Sequence, residues 1–375
     1  MKLSTDFATP VVLSLLASSI TGAAALAASR RATVCNGHAE LCDRSFGNVT
    51  FVGAHDSYAV GTSSRSSAVT VNQDYNITQQ LNDGVRMLQS QAHNKNGVIQ
   101  LCHTSCALYD GGSLQDYLTN VKTWMDANPN DVVSLLIVNS DNLAPSEYDT
   151  VFKAAGLDTL AYAPESASLQ ASAWPTLGTL ITSGKRLVAF LSTKADFNSV
   201  PYLIDEFTNV WETAYDVTDT TFNCDVNRTN GDTSTQMYLI NHFLDKVVAG
   251  FPAPDPDHAD TTNAVSGVGS LGQQVQTCAA QHGRNPNFML VDFYEYGNGS
   301  VFQVAADANG VSYSPATPVA TPKSGSSTAS STNSSSSGVT TAPANGVMDV
   351  RLVPTHLAAS LAVIGGILAG ALSIL

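Results

Sequence analysis

Val132–Val138 is an apolar run relieved only by Ser134. A strand with one wet face alternates apolar and polar residues. A continuous run suits a strand covered on both faces, as in a parallel sheet flanked by helices. The residues before it agree. Ser113 can cap a helix, and Leu114, Tyr117, Leu118, Val121, Trp124 and Met125 recur at helical spacing. Asn128-Pro129-Asn130 ends the helix predicted over Ser113–Ala127.

The same alternation runs along the chain. Strands are predicted at Val49–Ala54, Gly84–Gln89, Val98–Cys102, Val132–Val138, Arg186–Leu191, Asn209–Glu212, Met237–Asn241 and Phe288–Asp292. Helical segments fall at Asn72–Asp83, Ser113–Ala127, Ser146–Ala155, Thr176–Ser183 and a Gly-rich Val265–His282. Eight strands alternating with helices favour a closed α/β barrel of the (β/α)₈ type, as a single domain, over an open doubly wound sheet.

Such a barrel brings the C-terminal ends of its strands to one rim. The stretch Phe51-Val52-Gly53-Ala54-His55-Asp56-Ser57-Tyr58 ends its strand in a His-Asp pair. A second histidine, His103, follows Leu101-Cys102. Either histidine alone reads as an ordinary loop or core residue. Two at the ends of two strands can serve one substrate as general base and general acid.

Not all of the 375 residues are expected to fold into that domain. Residues 1–27 read as a secretory signal: Lys2 gives a basic start, an apolar run follows, and Ala25-Leu26-Ala27 offers small residues for cleavage. Ser14, Ser18, Ser19, Thr21 and Gly22 interrupt the run, which favours a cleaved signal over a membrane anchor. Residues 28–313 form the expected barrel. Residues 314–346, rich in Ser, Thr, Pro and Ala, have too little apolar surface to offset ordering entropy and read as an O-glycosylated stalk. Residues 347–375 combine a polar spacer with the uncharged run Leu357–Leu375. Behind the small residues Ala344-Asn345-Gly346 this reads as a GPI-attachment signal with Asn345 as acceptor, a plain C-terminal span being the alternative.

Six cysteines in a chain that reads as secreted suggest disulfides, and six allow 15 pairings. Closeness in sequence favours Cys35 with Cys42 and Cys102 with Cys106, which leaves Cys224 with Cys278. Glycosylation sequons stand at Asn48, Asn76, Asn227, Asn298 and Asn333. No Cys/His cluster has zinc-ligand spacing, so neither metal nor cofactor is expected. The net charge of −14 argues against a nucleic-acid partner. A monomer is expected, on the extracellular face of the plasma membrane or in the cell wall.

Taken together, Gly53-Ala54-His55-Asp56-Ser57-Tyr58, then Gln79-Gln80-Leu81-Asn82-Asp83-Gly84-Val85-Arg86, then His103 resemble the X-type catalytic domain of phosphatidylinositol-specific phospholipases C. The likeness is closer to the bacterial metal-independent enzymes than to the calcium-dependent ones. It is closest to secreted fungal phospholipase C-like phosphodiesterases with Leu-Cys-His-Thr-Ser-Cys and Val-Asp-Phe-Tyr segments. The resemblance covers about residues 35–310 and implies a distorted TIM barrel. It also implies a two-step reaction. One histidine takes the proton of a hydroxyl beside the phosphodiester, the hydroxyl attacks phosphorus, and the other histidine protonates the leaving alkoxide. A cyclic phosphate results, which water can open. His55 matches the base, His103 the acid and Asp292 the aspartate that orients the base; Asp56 follows the first histidine as in the family.

The sequence departs from the bacterial pattern where that pattern has an aspartate and a phosphate-clamping arginine. Here stand Gln89 and Gln91. A fixed cation beside developing phosphate charge is often the largest catalytic contribution. Its loss leaves three options: another cation such as Lys194 or His93, weak catalysis, or a different substrate. Two neutral amides also argue against a calcium site. Asn139, Asn241 and Tyr294 complete the candidate substrate contacts, with His242 and Tyr296 as further rim candidates and Arg86 as a structural residue. The reading is an extracellular phosphoric diester hydrolase acting on a phosphoinositide-like lipid or related diester at a membrane surface. The alternative is a weakened barrel serving as a GPI-anchored surface or wall-associated binding glycoprotein.

Overall fold

A computed structural model describes residues 1–2, 31–61 and 69–323. Most of the expected signal, the sequon at Asn333, Asn345 and Leu357–Leu375 lie outside the described residues. The strands in chain order are β1 (Phe51–Ala54), β2 (Met87–Lys95), β3 (Val98–Cys102), β4 (Asp110–Ser113), β5 (Val133–Asn139), β6 (Leu187–Leu191), β7 (Leu203–Asp205), β8 (Val210–Glu212), β9 (Met237–Asn241), β10 (Asp245–Val248), β11 (Phe251–Pro254) and β12 (Phe288–Val291). The helices are α1 (Ile77–Asp83), α2 (Leu114–Ala127), α3 (Pro145–Ala155), α4 (Leu177–Thr182), α5 (Glu206–Asn209), α6 (Ala259–Thr262), α7 (Leu271–His282) and α8 (Ser300–Asn309).

Eight parallel strands run in the order β7-β6-β5-β2-β1-β12-β9-β8, a TIM-barrel-like single domain. The sheet does not close, because β7 and β8 are not paired. Only the four residues of α5 separate them. A parallel crossover takes a dozen or more residues, so β8 cannot be laid beside β7.

The expected strand set needs one correction. Val98–Cys102 is not a barrel strand: β3 runs antiparallel to β2, with Leu101 opposite Ala92 and Val98 opposite Lys95. Asn96 and Gly97 make the reversal, both left-handed at φ +55° and +83°. Asn-Gly is the pair that a two-residue hairpin favours, because both central residues need positive φ. Short β7 takes the vacant place in the sheet.

Alternation along the strands sorts the core into two layers. Phe51, Met87, Leu136, Phe190, Met237, Leu239, Phe288 and Leu290 belong to the cluster inside the barrel, which continues through Phe46 and Trp174. Val52, Leu88, Leu135, Ile137, Trp211 and Met289 pack outward against the helices. Gly53 lies on β1 between Phe51 and His55. A Cβ there would meet Leu290 Cδ1 at 3.0 Å and Met87 Cβ at 3.3 Å, so a larger residue would press on the neighbouring strands under His55. Ser113 caps α2 as expected, its Oγ accepting from Asp116 N at 3.1 Å. The six predicted apolar residues of α2 are all buried, each worth about 1.5–3 kcal/mol by area for the larger side chains.

The disulfides are Cys35–Cys42, Cys102–Cys106 and Cys224–Cys278. Asn48, Asn76, Asn227 and Asn298 are exposed. The segment expected to begin the stalk is fastened to the barrel as far as Lys323. Ala320 N donates to Asp83 Oδ2 (3.3 Å), Tyr75 Oη to Thr321 O (2.5 Å) and Lys323 N to Asp74 Oδ2 (2.6 Å), while Val319 packs against the core. Hydrogen bonds to carboxylates hold these residues where their small apolar area would not.

Candidate active site

Strand register makes the first pair. Ala54 lies opposite Val291, and His55 N donates to Val291 O at 2.9 Å. The next residues, His55 and Asp292, therefore stand side by side at the C-terminal rim. Their side chains meet, Nδ1 to Oδ1, at 2.9 Å. Asn72 Nδ2 donates to Asp292 Oδ2 at 3.0 Å. The imidazole lies flat on Phe243, with centroids 3.8 Å apart and planes 5° apart. A carboxylate only accepts, so Nδ1 carries the proton of the neutral His55 ring, and Nε2 is the nitrogen that gains and loses the second one.

His103 reaches the same place by another route. The antiparallel return of β3 carries the chain back along β2 from Lys95 to Ala92, and His103 follows two residues after Leu101. Its Nδ1 faces Thr70 O at 3.1 Å, a carbonyl that also only accepts. Its Nε2 lies 3.7 Å from Asp56 Oδ2, and His55 Nε2 lies 3.9 Å from the same oxygen. The two Nε2 atoms thus share one carboxylate as neighbour.

Two amides hold Asp56, one at its backbone and one at its carboxylate. Gln89 Oε1 accepts from Asp56 N at 2.6 Å, and Gln91 Nε2 donates to Asp56 Oδ2 at 3.0 Å. Asp56 itself is left-handed at φ +36° and buried. At its other end the Gln91 amide accepts from Thr104 N at 3.1 Å. Gln91 is a strut between the two histidine loops. Gln73 Nε2 ties the end of β1 to that of β12 through His55 O (2.8 Å) and Val291 O (3.0 Å). Gln80, from the Gln-Gln-Leu motif, donates to Ser57 O (2.8 Å) and Tyr75 O (2.7 Å).

Carboxylates dominate the electrostatics. Burial pushes the His55 imidazole down, but Asp292, then Asp56, then the hydrogen bond to Asp292 outweigh it and raise the pKa to about 9. Burial raises the Asp292 carboxyl, against the pull of His55 and Asn72. Asp245 is lifted to about 7 by burial and by Asp292, with His55 opposing. Asp216 lies within electrostatic reach of both histidines. Among the described residues no group of His, Cys, Asp or Glu is arranged to hold a metal ion.

Several predicted contacts fall elsewhere. Asn139 has the outward parity of its strand: it donates to Leu143 O and Thr193 O and accepts from Leu143 N and Tyr148 Oη, so all its capacity is spent on the loop after β5. Tyr294 is fully buried against Phe302 and donates to Asp83 Oδ2 at 2.6 Å, away from the histidines. Tyr296 packs with Val71, Ala259 and Phe293. His242 is enclosed between Gln274 Oε1 and Thr262 O, and burial lowers its pKa to about 4. His93 faces Asp141 at 3.5 Å. Arg86 is structural, paired with Asp131 and bonded to Leu81 O. Asn241 is buried and donates to Thr213 O (2.9 Å) and Glu212 Oε2 (3.4 Å).

Lys194 follows β6, exposed and left-handed at φ +63°. From Arg31 onward, among the described residues, every other Arg and Lys has a carboxylate or carbonyl partner. Among the described residues from Arg31 onward, Lys194 is the one cation whose head group has none.

Sequence reasoning missed Asn72, Phe243, Asp216 and Asp245. The last three carry a usable signal, because each comes within four residues of the end of β8 or β9 and so on the C-terminal rim. Asn72, read in the sequence as the first residue of a helix, sits in the long loop after β1, because that helix begins only at Ile77 with Asn76 as its cap.

The family model described as PI-PLC X 1 matches residues 41–307. A protein of Arthroderma benhamiae called PI-PLC X domain-containing protein 1 is 45% identical over 282 residues, covering 74% of this chain and 90% of that protein. A second Arthroderma benhamiae protein, called an uncharacterized secreted protein, is 44% identical over 289 residues. The match covers 74% of this chain and 64% of that longer relative. Among solved structures, the F249X mutant of the Staphylococcus aureus phosphatidylinositol-specific phospholipase C superposes with a TM-score of 0.50 at 15% identity, covering 71% of this chain and 94% of that one. That likeness speaks for the fold, and the match over residues 41–307 with its relatives speaks for descent: the chain belongs to the PI-PLC X domain family.

Proposed function

We propose that this protein is an extracellular phosphoric diester hydrolase of the phospholipase C type, with His55 as general base and His103 as general acid. One observation carries the reading. The two Nε2 atoms face the same Asp56 oxygen, at 3.9 and 3.7 Å, while each Nδ1 is engaged from behind by Asp292 or by Thr70 O. A phosphodiester lying between the rings gives the proton of its neighbouring hydroxyl to His55 Nε2. The freed oxygen bonds to phosphorus, and the bond to the leaving oxygen breaks as His103 Nε2 supplies its proton. The products are a cyclic phosphate and an alcohol, and water opens the ring with the histidines in exchanged roles. Lys194 supplies the phosphate charge that Gln91 cannot.

The substrate class is a phosphodiester lipid. The β10–β11 hairpin supports a lipid surface as partner: it begins two residues after Phe243 and exposes Val247, Val248 and Phe251. Secretion, with GPI anchoring at Asn345 and N-glycosylation, fits the apolar runs, the sequons and the secreted relative. The test is a panel of phosphodiesters given to the secreted protein with and without EDTA. Turnover that survives chelation and vanishes in His55→Ala and His103→Ala supports the reading.

A second reading has its own observation. The arginine's place is filled by a glutamine used as a strut, among carboxylates at Asp56, Asp216, Asp245 and Asp292. That balance suits a barrel that binds a polyol or glycan at the cell surface and turns over slowly. Tight headgroup binding, with no hydrolysis that responds to His55→Ala, would favour it.

A further inference from the structure

The Cys102–Cys106 disulfide closes a small ring of chain, and His103 is inside it. The candidate acid stands past the end of β3, where no ladder holds its backbone. The ring substitutes for one. Within it Ser105 N donates to His103 O at 2.6 Å. Thr104 is left-handed at φ +61°, a conformation that a β-branched residue keeps only when its surroundings impose it. Thr104 N is in turn the donor to Gln91 Oε1, so the ring is registered against the Asp56 side of the site. Beyond the ring, the His103 side chain is steadied by Thr70 O. Cys102 is buried against the sheet, whereas Cys106 is half-exposed; the other four cysteines are buried.

We propose that the Cys102–Cys106 bridge is a positioning element for His103 as the acid of the reaction, and that a dithiol reductant entering at Cys106 opens it and reversibly stops cleavage of diesters with alkoxide leaving groups. The inference rests on the base-and-acid reading above. A reductant thiolate attacks Cys106 Sγ, the S–S bond breaks, and its electron pair leaves on Cys102 Sγ, which takes up a proton. The reductant's second thiolate then attacks the mixed disulfide and releases Cys106 as a thiol. Two electrons have passed to the protein, and the reductant leaves as its cyclic disulfide. The released loop loses the closure that holds Thr104 left-handed, and His103 Nε2 loses its fixed place beside Asp56.

The test compares two leaving groups on the same headgroup. Phosphatidylinositol in detergent micelles releases an alkoxide that needs a proton; a nitrophenyl diester of inositol phosphate releases a phenolate that does not. In Cys102→Ala/Cys106→Ala, kcat/KM on the lipid should fall on the order of 10²-fold, and on the nitrophenyl diester by less than about tenfold. Mild dithiol treatment of the native protein should give the same split, and reoxidation should restore the lipid activity. Equal loss on both substrates, or loss on neither, overturns the proposal. If the untreated protein cleaves neither diester, the catalytic reading fails on its own. The proposal is then decided by NMR of the His103 ring in the full protein, bridge closed and bridge open: shifted ring signals and an altered titration support positioning, and unchanged ones overturn it.

Discussion

Gln91 donates to Asp56 over 3.0 Å from the place where the bacterial pattern has an arginine. Its other end accepts from Thr104 N. An amide can do both; a guanidinium has five donors and no acceptor. The glutamine is therefore not simply an arginine with its charge removed. Gln91→Arg keeps a partner for Asp56 and strands Thr104 N. An unmet donor costs about 1–3 kcal/mol where water cannot replace the bond, and Thr104 is exposed, so the lower end applies. Turnover on a phosphatidylinositol substrate should fall by roughly fivefold. A rise in kcat would show that the pocket accommodates a clamp and that the strut is dispensable.

If Gln91 is a strut, the charge has to come from elsewhere. Lys194 is the available cation on the rim. Lys194→Ala should raise KM or lower kcat/KM by about 10- to 100-fold, more at low salt than at high salt, because an exposed charge is screened. Lys194→Arg should keep most of the activity. Equal activity of all three proteins would remove Lys194 from the site.

The exposed hairpin predicts interfacial behaviour. Val247 and Phe251 are 64% and 60% exposed, high for apolar side chains, and the nearby Lys246 is neutralised by Asp255 and Asp257. Binding should therefore be apolar rather than electrostatic, and as strong on zwitterionic as on anionic vesicles. Val247→Asp/Phe251→Ser should lower vesicle binding and activity on lipid in bilayers, while cleavage of a soluble headgroup diester stays within twofold or so, since neither residue touches the histidines. Parallel loss on the soluble diester would place the hairpin inside the catalytic machinery instead.

Much of this site could be read from residue order because register did the work. His55 and Asp292 are legible as a pair once both are taken as the residues just past adjacent parallel strands, and Ala54 opposite Val291 bears that out. His103 was found for a reason that does not hold, since β3 is a hairpin return and not a barrel strand. The Asn96-Gly97 turn was the overlooked sign. Asn139 and Tyr294 failed on parity and packing. Each follows or ends a barrel strand, yet its side chain points into the helix layer, where Tyr148 or Phe302 waits. Asn72 was hidden by its place at the head of an expected helix; it lies in the loop before α1, and a loop side chain that crosses to Asp292 leaves no periodicity.

The last prediction concerns proton affinity. A base held at a pKa of about 9 is protonated at neutral pH, so the limb of kcat/KM that reports His55 losing its proton should lie near 9, with loss of the proton on the acid, His103, opposing it at high pH. Asp292→Asn removes the main upward influence and leaves burial, which lowers the pKa, opposed by Asp56 and Asp245. The limb should then move down from about 9, while the plateau falls on the order of 10²-fold or more as orientation is lost. Asp245→Asn should move the limb the same way by less, because Asp245 is the weakest of the named influences on His55. Stability carries the same sign. The folded-state pKa lies above the ordinary 6.5, so the His55–Asp292 pair stabilises the fold fully below pH 6.5 and the contribution is lost as pH rises through about 9. The native protein should lose melting temperature across that window, and Asp292→Asn should lose less of it. A native pH–rate limb near 6.5, unmoved by Asp292→Asn, would mean that the carboxylate does not govern the base.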